Sequence, residues 1–501
     1  MNNFIIKEIY KDIYNGLSKN KIRFRFAPEP NGVLHIGHVK AIYINFKLAK
    51  EFNSKIYLRF DDTNPKNENF YYVKQIINNI KWLGFKWDKL SFTSDYFPIL
   101  YKWAKILIKK NKAYIQYIHN NNKYNIYDID KNLYYFKKMK LGKYKENFCV
   151  LRAKLDFTNY HLKDPIMYRI IKKKHYRTKK KWCIYPTYDW AHGQSDYIEK
   201  ISHSLCSIEF QNHKPLYNWF INNVYNKKFN YLKPKQIEFS RLNIVDTITR
   251  KRQLNLLFKK KIIKKYEDPR LSTINSFKYK GYKSIYLINF IKKIGFTKRN
   301  YNISINKLNL EIKKDLIKRS KKIMVILNPI KLIITNFKNK YIKWIKFNNK
   351  YKIPFTREIY IEYDDFKLKH DKNFFRLSLK NYVRLKYAYI IKAYKIIKYK
   401  NNIKYIYCKI YKNINKTKIK STIQWVSYNF KYKINILDYK YIYFKKKKIY
   451  NINSLKYIKG YTDISIKKLK IKKIYQFLRI GFFYLKKINN FIKILYMEKK
   501  Y

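Results

Sequence analysis

RFAPEPNGVLHIGHVKAIYINF, residues 25–46, concentrates turn-forming residues in a chain that has few of them elsewhere. Two prolines and two glycines fall between residues 28 and 37, although the 501-residue chain holds only 10 glycines and 11 prolines. The alternating sequence at 21–27 predicts a strand, and the prolines end it. From Ile36 onward apolar residues recur at helical spacing. We therefore predict a strand, a loop and then the start of a helix.

A second strand follows this helix. The segment KIYLRFDDTNP (55–65) has the composition of a buried strand that ends in the carboxylates Asp61 and Asp62. Strand, helix and strand within about forty residues form a βαβ unit with a parallel sheet. A further helix is predicted over residues 70–83, which continues the same α/β pattern.

The loop between the first strand and its helix is a candidate anion site. Backbone N–H groups and the helix dipole attract a negative ligand where such a loop enters a helix. The loop is neither GxGxxG nor GxxxxGKS/T, so the ordinary dinucleotide and phosphate-loop motifs are excluded. It presents His35, Gly37 and His38 instead: Gly37 allows close approach of a nucleotide, and both histidines can donate to phosphate oxygens. The alternative for a bare His-x-x-His pair is a capped helix or half of a metal site.

Two other segments supply complementary charge. Asp61 and Asp62 follow the second strand at the carboxyl edge of the sheet, where α/β proteins bind ligands, and they suit an ammonium group or Mg²⁺. The alternative for an Asp-Asp pair alone is a turn. FSRLNIVDTITRKRQLNLL (239–257) places the basic triplet 250–252 in a loop between apolar runs. Such cations can close over a polyphosphate in a transition state, and the alternative is an ordinary basic surface.

The rest of the sequence changes character near residue 318. Residues 96–180 mix helical and strand-like stretches, and 181–210 again concentrates Pro, Gly, His and acidic residues as a site would. Charged helical patterns then give way to short β-rich runs. These predict that the last third is all-β and forms barrels. The lysine-rich YFKKKKIY (443–450) predicts a solvated hairpin or an edge strand, and the sequence has no fixed-period repeat.

Composition limits the class of protein. The chain is 47% hydrophobic and long enough for roughly three or four domains. Its formal net charge of +82 suggests a polyanion partner, but Lys, Asn, Ile and Tyr are enriched together, which is typical of AT-rich coding sequence. Four scattered cysteines without CxxC spacing favour a reducing compartment and argue against a zinc ribbon. Charges interrupt every apolar run, so no signal peptide or membrane span is predicted and we expect a cytoplasmic protein.

These motifs together resemble class I aminoacyl-tRNA synthetases of the glutamyl/glutaminyl subgroup, and within it the glutaminyl branch. FAPEPNGVLHIGH is similar to the family's HIGH signature, and LRFDDTNP to the strand that follows it. DPIMYRI, KWCIYPTYDWAHGQSD and ISHSLCSIEFQ resemble the end of its acceptor-binding insertion and the second half of its nucleotide fold. IEFSRLN with TITRKRQLNLL resembles its KMSKR region, and EDPRLSTI its helical subdomain. The resemblance is dense over residues 21–300 and looser to about residue 485.

The resemblance implies a multidomain protein with α/β and all-β parts. We expect a class I Rossmann-like nucleotide-binding catalytic domain, an acceptor-binding insertion, a helical subdomain and C-terminal β-barrels that bind the anticodon. The expected ranges are 1–95 with 181–250 for the two catalytic halves, 96–180 for the insertion, 251–318 for the helical subdomain, 319–345 with 456–501 for the proximal barrel, and 346–455 for the distal barrel.

The implied activity is ATP-dependent ligation of L-glutamine to tRNA-Gln. Glutamine and ATP form a glutaminyl-adenylate, and the glutaminyl group then moves to the 2′-hydroxyl of the terminal adenosine. By similarity, His35, His38 and Lys251 stabilise the pentavalent state and Mg²⁺ escorts the pyrophosphate. We expect a monomer without a protein-held metal site. The residues implied to bind ATP are Glu29, Pro30, Asn31, His35, Gly37, His38, Val39, Lys40, Ala41, Ser207, Arg241, Leu242, Thr249, Arg250 and Lys251.

The implied amino-acid site selects an amide over an isosteric carboxylate. Asp61 matches the family's acceptor of the substrate α-ammonium, and Tyr188 its glutamine-contacting tyrosine. Cys206 favours glutamine because the glutamate enzymes of the subgroup tend to place a cation there, and its alternative role is core packing. A site that satisfies both amide donors leaves a carboxylate facing unpaired acceptors, at a cost of several kcal/mol. The surrounding positions are Arg25, His192, Cys206 and Gln236.

The tRNA contacts are implied by looser matches. Two positions depart from the family pattern. Arg250 replaces the usual Ser of the KMSKR-like loop, and Asn212 stands where the family often has an acidic residue aimed at the acceptor stem. We therefore expect changes in loop closure or ATP affinity and in tRNA discrimination. The implied tRNA-binding residues are Asn212, Lys298, Lys322, Gln476 and Arg479.

Other functions stay open from the sequence. One is a glutamyl-tRNA synthetase of the β-barrel type, including one that charges both tRNAs, against which Cys206 and Gln236 argue. Another is a non-catalytic basic RNA-binding protein built on a decayed synthetase, suggested by the net charge and by Arg250. Retention of the histidine, Asp61 and Lys251 positions together argues against it. A basic ribosome-associated structural protein would have no need of the histidine-rich loop.

Overall fold

The computed structural model describes residues 3–119, 122–155, 163–224, 232–245, 247–248, 251–347, 351–368, 373–399, 402–412, 419, 421–440, 442–444 and 449–496. The chain divides into two compact units. The first comprises Met1–Glu267, Leu271–Asn275 and Lys283–Ile305, and the second comprises Asp268–Arg270, Ser276–Tyr282 and Asn306–Tyr501.

The first unit begins with the predicted α/β pattern. Its elements are α1 (Phe4–Tyr14), β1 (Arg23–Phe26), α2 (Ile36–Glu51), β2 (Lys55–Phe60), α3 (Phe70–Trp82) and β3 (Lys89–Phe92). The three strands form a parallel sheet in the order β1-β2-β3. The predicted strand, helix and strand, and the helix predicted over 70–83, are therefore confirmed.

Helix α2 begins at the predicted residue because its apolar stripe faces the sheet. Ile36, Val39 and Ile42 are fully buried, at the spacing that one face of a helix requires. His35 precedes the helix with an extended backbone, φ −120° and ψ 174°, as N-cap residues have. The strand β1 that leads into this loop is buried at three of its four positions, so the loop projects from a fixed support.

An antiparallel sheet follows between the two halves of the nucleotide fold. Its elements are α4 (Phe97–Lys109), β4 (Ala113–His119), β5 (Asn122–Ile126), α5 (Ile129–Lys140), β6 (Cys149–Ala153), β7 (Ile166–Ile170) and β8 (Ile184–Pro186). The five strands run in the order β5-β4-β6-β7-β8. Helices α4 and α5 bury Leu100, Leu107 and Phe136 in the same hydrophobic cluster as Leu151 and Ile184 of the sheet. This region has its own core.

The second half of the nucleotide fold returns to parallel pairing. Its elements are α6 (Tyr188–Ile198), β9 (His203–Ser207), α7 (Lys214–Val224), β10 (Lys235–Phe239), β11 (Leu242–Val245), α8 (Lys251–Lys259), α9 (Ile274–Tyr279), α10 (Ser284–Ile294) and β12 (Tyr301–Ser304). Strand β10 pairs with β9, and β11 with β12, in parallel. The Ser202 amide donates to the Arg23 carbonyl at 3.1 Å, which sets the two halves side by side.

The second unit is built of strands beyond one helix. After α11 (Ile305–Arg319) the strands are β13 (Lys321–Ile323), β14 (Val325–Ile326), β15 (Pro329–Ile334), β16 (Lys343–Phe347), β17 (Tyr351–Phe355), β18 (Glu358–Glu362), β19 (Tyr382–Leu385), β20 (Ile390–Tyr399), β21 (Asn402–Tyr411), β22 (Thr422–Ile423), β23 (Val426–Ser427), β24 (Tyr432–Tyr439), β25 (Tyr443–Phe444), β26 (Ile449–Tyr450), β27 (Leu455–Thr462), β28 (Ile474–Phe477), β29 (Gly481–Lys487) and β30 (Asn490–Tyr496). The predicted all-β character of the last third is confirmed.

Two seven-stranded sheets organise this unit, each with its own apolar cluster. One runs β13-β28-β29-β30-β24-β27-β14, and the other runs β22-β19-β20-β21-β15-β18-β23. The pairing differs from the predicted barrel limits at two strands. Residues 329–334, placed in the proximal barrel, pair with β18 and β21, whereas 432–439, placed in the distal barrel, pair with β27 and β30. The pairing is long-range, and local periodicity does not determine the partner of a strand.

The lysine-rich segment forms a short hairpin in the part that the structure describes. Strand β25 pairs antiparallel with β26, as the hairpin prediction requires, and residues 445–448 lie outside the described chain. All four cysteines are free. Within the described residues no helix combines the length and the apolar character needed to cross a membrane.

Candidate active site

The carboxyl ends of β1, β9 and β10 and the start of α2 surround a cavity of about 490 Å³. Its wall includes residues from the segments 25–46, 181–210 and 239–257, whereas the segment 55–65 does not line it. Ten of the fifteen residues implied to bind ATP line it: Glu29, Asn31, His35, Gly37, His38, Lys40, Ala41, Ser207, Arg241 and Leu242. Pro30 and Val39 are buried but are not part of this wall.

The two histidines are held by backbone groups at the start of α2. The Gly37 amide donates to Nδ1 of His35 at 3.0 Å, and the His35 amide donates to Nδ1 of His38 at 3.0 Å. The rings lie with centroids 3.9 Å apart. Both Nδ1 atoms are therefore acceptors, and in a neutral imidazole the proton then sits on Nε2. Each ring presents one N–H donor beyond the helix terminus.

Burial keeps both imidazoles neutral. It lowers the pKa of His38 to about 4, with the nearby Arg241 guanidinium adding to the effect. The pKa of His35 is lowered well below its usual value, first by burial and then by His38 and Arg241. The pair thus offers two uncharged N–H donors at neutral pH, in a place where the helix dipole already favours an anion.

A neighbouring segment fixes the loop before α2. The Ile36 amide donates to the Ser272 carbonyl at 3.1 Å, and the Ile274 amide donates to the Leu34 carbonyl at 2.9 Å. His35 itself forms an antiparallel bridge with Thr273. These backbone bonds hold the histidine-bearing loop in one conformation against the segment that carries the LSTI sequence.

The ammonium group of Lys40 is buried and bound by groups of the protein itself. Its Nζ donates to the Ser240 carbonyl at 2.7 Å and to Ser240 Oγ at 2.8 Å, and burial lowers its pKa to about 8. The ammonium also lies within 6 Å of the Phe239 and Phe296 rings. The bonds from Lys40 tie α2 to the end of β10, which positions the wall of the cavity.

The opposite wall carries a surface ion pair. Arg241 Nη1 donates to Glu209 at 2.6 Å, and Ser207 Oγ donates to the same carboxylate at 3.3 Å. Glu209 has a side chain that is 55% exposed, so this pair can open without a large loss of stability. Sequence reasoning identified Arg241 and Ser207 but missed Glu209, which lies two residues after Ser207.

The KMSKR-like loop is described only in part. Thr249 and Arg250 lie outside the described residues, and Lys251 is described only as the first residue of α8. Farther along this helix, Leu254 and Asn255 line the cavity. Helix α8, which begins within the basic triplet, is therefore next to the candidate phosphate site.

The implied amino-acid site lies at another part of the same cavity. Arg25, Tyr188, His192 and Cys206 line it, and Tyr188 stacks on His192 with ring centroids 4.7 Å apart. Three of these residues, with Gln236, also line a small adjoining cavity of about 20 Å³. Five of the six residues implied for glutamine are thus brought together.

Asp61 is 2% exposed and does not line either cavity. Its Oδ1 accepts from Arg59 Nε at 2.7 Å and from Thr93 Oγ1 at 2.9 Å, and its Oδ2 lies 3.1 Å from His192 Nδ1. Burial alone would raise the pKa of Asp61, but Arg59 above all and then His192 lower it to about 2. Asp61 is therefore a fixed anion next to the wall that His192 forms.

Cys206 and Gln236 form a neutral part of this wall. Burial raises the pKa of the Cys206 thiol to about 12, so it carries no charge at neutral pH. Gln236 is 4% exposed, and its Nε2 donates to the Phe210 carbonyl at 3.2 Å and to Glu238 at 3.1 Å. Neither Gln236 nor Cys206 therefore brings a charge to the cavities that they line.

Asp62 serves the protein rather than a ligand. It accepts from the Ser94 amide at 2.8 Å, from Ser94 Oγ at 2.7 Å and from Tyr176 at 3.0 Å. Burial raises its pKa to about 7. In the part of the chain that the structure describes, no group of three His, Cys, Asp or Glu side chains is arranged to hold a metal ion. The Asp-Asp pair does not form a Mg²⁺ cage.

The sequence missed a buried ion network beside Asp61. Arg59 Nη1 donates to Asp196 at 2.8 Å and to Glu199 at 3.0 Å, and Arg25 Nε donates to Asp196 at 3.0 Å. All four of these side chains are 3% exposed or less. A charged residue inside the buried strand LRFDD was the available signal, because an arginine at a core position requires carboxylate partners.

The implied tRNA-binding residues fall in both units. In the first, Asn212 is exposed, and Lys298 is exposed with its Nζ 5.2 Å from the Phe4 ring centroid. In the second, Lys322 is exposed and aligns with Gln476 in paired strands, whereas Gln476 itself is 5% exposed. Arg479 donates to both oxygens of Asp365, at 2.8 and 2.7 Å, so its guanidinium already has a protein partner.

A split parallel nucleotide fold with a histidine pair at a helix start, interrupted by a separate sheet and followed by two strand-built modules, defines a class I tRNA synthetase. The family model "tRNA synthetases class I (E and Q), catalytic domain" matches residues 21–318. Two models for the anti-codon binding domain of the same family match residues 320–411 and 422–486. The predicted fold class is confirmed by these matches.

Sequence relatives narrow the class. The chain is 44% identical to the glutamine–tRNA ligase of Buchnera aphidicola subsp. Schizaphis graminum, over 79% of this chain and 76% of that protein. It is 41% identical to the glutamine–tRNA ligase of Clostridioides difficile, over 85% and 81%. Among solved structures, a glutamate tRNA ligase from Elizabethkingia meningosepticum aligns at 17% identity with a TM-score of 0.45, over 60% of this chain and 70% of that one. The chain belongs to the glutamine–tRNA ligase family of class I synthetases.

Proposed function

We propose that the chain ligates L-glutamine to tRNA-Gln in two steps that consume ATP. The glutamine carboxylate attacks the α-phosphorus of ATP, the bond to the β-phosphate oxygen breaks, and pyrophosphate leaves. The 2′-hydroxyl of the terminal adenosine then attacks the carbonyl of the adenylate, and AMP leaves. The observation that carries this proposal is a single cavity of about 490 Å³ that joins the histidine pair to the pocket of Tyr188 and Cys206.

The first step joins two anions, so the protein's contribution is orientation and charge stabilisation. The two Nε2–H groups of His35 and His38 suit the oxygens around the α-phosphorus, where negative charge grows in the transition state. Because the rings are neutral, they bind the phosphates of the ground state less strongly than cations would. Lys251, the first residue of α8, supplies the positive charge. The other implied ATP-binding residues remain part of this proposal.

Glutamine is selected beside neutral side chains, because Arg25, the cation that lines this part of the cavity, is already bound to protein acceptors. Cys206 stays protonated, and Gln236 is oriented by the carbonyl of Phe210 and by Glu238. The substrate amide can donate there to neutral acceptors, whereas the carboxylate of glutamate would be buried without a positive partner. Arg25, the guanidinium nearest to this region, is already bound to Asp196.

Mg²⁺ binds together with the nucleotide in this proposal. It usually keeps several waters and binds substrate phosphates with one or two carboxylates. When bound, the ion would neutralise charge on the leaving pyrophosphate. We further propose a monomer that acts in the cytoplasm, with Asn212, Lys298, Lys322, Gln476 and Arg479 on the tRNA side. The predicted domain limits are retained as a proposal except at β15 and β24, which pair in the opposite sheets.

Pyrophosphate exchange into ATP tests the first step. Purified protein is incubated with ATP, labelled pyrophosphate and tRNA-Gln, with and without glutamine. The proposal predicts exchange that requires glutamine and that falls about 10²- to 10³-fold in Lys251→Ala. Lys50→Ala, at an exposed position near the carboxyl end of α2 and outside the cavity wall, serves as the matched control and keeps the exchange. No glutamine-dependent exchange in any condition would favour the decayed RNA-binding protein.

A further inference from the structure

Asp61 sits inside a group of buried charges, which we name the Arg59 network: Arg25, Arg59, Asp61, Asp196 and Glu199. Arg59 is fully buried and contacts all three carboxylates, through Nε to Asp61 and through Nη1 to Asp196 and Glu199. It is the member that links the acids to one another. A buried arginine with three carboxylate partners has a fixed orientation, since each bond restricts the same planar group.

The charges of the Arg59 network do not cancel. Counted by themselves, its three carboxylates and two guanidinium groups leave one negative charge in excess, which His192, in contact with Asp61 and Asp196, would offset only with a second ring proton. Inside the protein such a charge is costly unless a cation compensates it. The cation that the proposed reaction brings to this place is the α-ammonium group of the amino acid. The network therefore has the charge that complements one bound ammonium group.

The hydrogen bonds of Asp61 leave one of its oxygens less occupied. Oδ1 accepts from Arg59 and Thr93, which uses both lone pairs of that atom. Oδ2 accepts from His192 Nδ1 in the described contacts. His192 Nε2 faces Arg25 Nη2 at 2.7 Å, and an arginine only donates, so Nδ1 carries the histidine proton. The remaining acceptor position of Asp61 is thus on Oδ2, beside the residue that lines the cavity.

We propose that Arg59 is a positioning residue for amino-acid recognition, which holds Asp61 ionised and turned so that Oδ2 accepts the substrate ammonium group. This inference rests on the proposed function of the cavity. Arg59 acts through Asp61 and does not line the cavity itself. Lysine at this position keeps the charge but cannot contact three carboxylates with a planar fork, so it loosens Asp61 without changing the net charge.

The test compares glutamine with glutaramate, the same molecule without its α-amino group, as a competitor in the charging reaction. In Arg59→Lys we expect the KM for glutamine to rise about tenfold to a hundredfold, as for loss of a charge-assisted hydrogen bond. The Ki of glutaramate and the KM of ATP stay within about twofold, because neither ligand uses the ammonium contact. Equal changes in all three constants, or no change in any, overturn the proposal.

Arg23, on strand β1 beside the strand of Arg59, serves as the matched control. Arg23 donates to the Glu199 backbone carbonyl at 3.0 Å and lies over the Tyr57 ring, and no carboxylate partner is recorded for it among the described contacts. Arg23→Lys is expected to leave the ratio of the two constants, glutaramate Ki to glutamine KM, unchanged. A wild-type protein that shows no glutamine-dependent charging would instead refute the proposed function, which is a distinct result.

A milder variant keeps the inference testable where Arg59→Lys does not fold. Thr93 is fully buried and donates to the same Oδ1, and valine has nearly the same shape. Thr93→Val should lower the ratio of glutaramate Ki to glutamine KM by about fivefold, the effect of one ordinary hydrogen bond, because Thr93 acts on the substrate only through Asp61. An unchanged ratio in this variant would mean that the orientation of Asp61 is not set through Oδ1, which contradicts the proposal.

Discussion

At the scale of single residues, the histidine pair shows how one side chain serves both structure and chemistry. The Nδ1 atom of each ring accepts a backbone amide at 3.0 Å, and this fixes the tautomer that leaves Nε2–H available. The cap at the start of α2 and the donors for the phosphate are thus the same two residues. Their neutral state follows from burial and from Arg241, which lower the pKa of both.

This double role can be separated by substitution at His38. Asparagine places an oxygen near the position of Nδ1 but has no group at Nε2. His38→Asn should therefore keep the free energy of unfolding in urea while pyrophosphate exchange falls about 10²- to 10³-fold. His38→Ala should lose the same activity and also about 1 kcal/mol of stability, because the His35 amide loses its acceptor. Full activity in His38→Asn would show that Nε2 is not used.

The pH dependence of stability carries the signature of Asp62. Its pKa in the folded protein is about 7, raised by burial from 3.8. Between these values the folded protein holds a proton that the unfolded chain has lost, so the contribution of this group to stability falls as the pH rises from about 4 to about 7. At about 1.4 kcal/mol per pKa unit, the full effect is about 4 kcal/mol at most.

Asp62→Asn removes this titration. Relative to wild type, the variant should gain stability between pH 5 and pH 8, by roughly 2 kcal/mol or more in urea unfolding. The comparison of the two proteins at each pH cancels the other titrating groups. Parallel pH profiles for wild type and variant would contradict a raised pKa at this carboxyl.

Single residues differ in how far the sequence predicts them. His35, His38 and Asp61 were predictable because they follow a strand or open a helix in recognisable motifs. The burial of Lys40 against Ser240 and the bonds from Arg59 to Asp196 and Glu199 were not, since they depend on contacts across more than a hundred residues. Thr249 and Arg250 lie outside the described chain, so their roles stay predictions.

At the scale of elements, the loop that enters α2 requires glycine at one position. A Cβ atom at Gly37 would lie 2.7 Å from Cε1 and 2.9 Å from Nδ1 of His35. These distances are shorter than van der Waals contact, so the ring would have to move away from the bond that the Gly37 amide makes. The helix itself would tolerate alanine, which has the higher helix propensity.

Gly37→Ala should therefore reduce pyrophosphate exchange at least about tenfold while the free energy of unfolding changes by no more than about 1 kcal/mol. Gly32 in the same loop is the matched control, because a Cβ atom there meets nothing within 4 Å. Gly32→Ala should keep the exchange. Equal losses in both variants would mean that the loop tolerates no side chain at all, and that the His35 ring is not the sensitive element.

Elements were predictable where a period repeats within one segment. The helical stripe from Ile36 and the alternation at 21–27 identified α2 and β1 within a residue or two of their observed bounds. The strand order of the two seven-stranded sheets was less predictable, because β13 and β14 pair with strands more than a hundred residues later in the chain. Strand type is a local property of the sequence, whereas the partner of a strand is decided by the folded sheet.

At the scale of the whole molecule, two compact units correspond to the catalytic and anticodon-binding family models. The net charge of +82, which is spread along the whole chain, favours association with RNA. Charge alone does not identify which residues recognise bases. The second unit illustrates this point. Arg479 was implied to contact the anticodon, yet it forms a two-bond ion pair with Asp365, which is fully buried.

Arg479→Met separates these roles. Removing the arginine leaves Asp365 with Arg376 at 3.5 Å, so we expect a loss of about 2 kcal/mol in the free energy of unfolding, less than for a fully buried pair because Arg479 is 39% exposed. Lys322→Met, on an exposed strand position, should leave stability unchanged and weaken tRNA binding. Normal stability of Arg479→Met with lost charging would assign Arg479 to the RNA instead.

The proposed function depends on a side-chain pocket in which the lining cation, Arg25, is already bound to Asp196 and to the Leu205 carbonyl. Charging of glutamine and of glutamate, side by side, on tRNA-Gln and tRNA-Glu transcripts tests it most directly. We expect glutamine on tRNA-Gln and no charging with glutamate, because Cys206 stays a neutral thiol and Gln236 is held by neighbouring acceptors. Glutamate attached to either tRNA would contradict the proposal, since its carboxylate would then have a positive partner although Arg25 is already bound to Asp196.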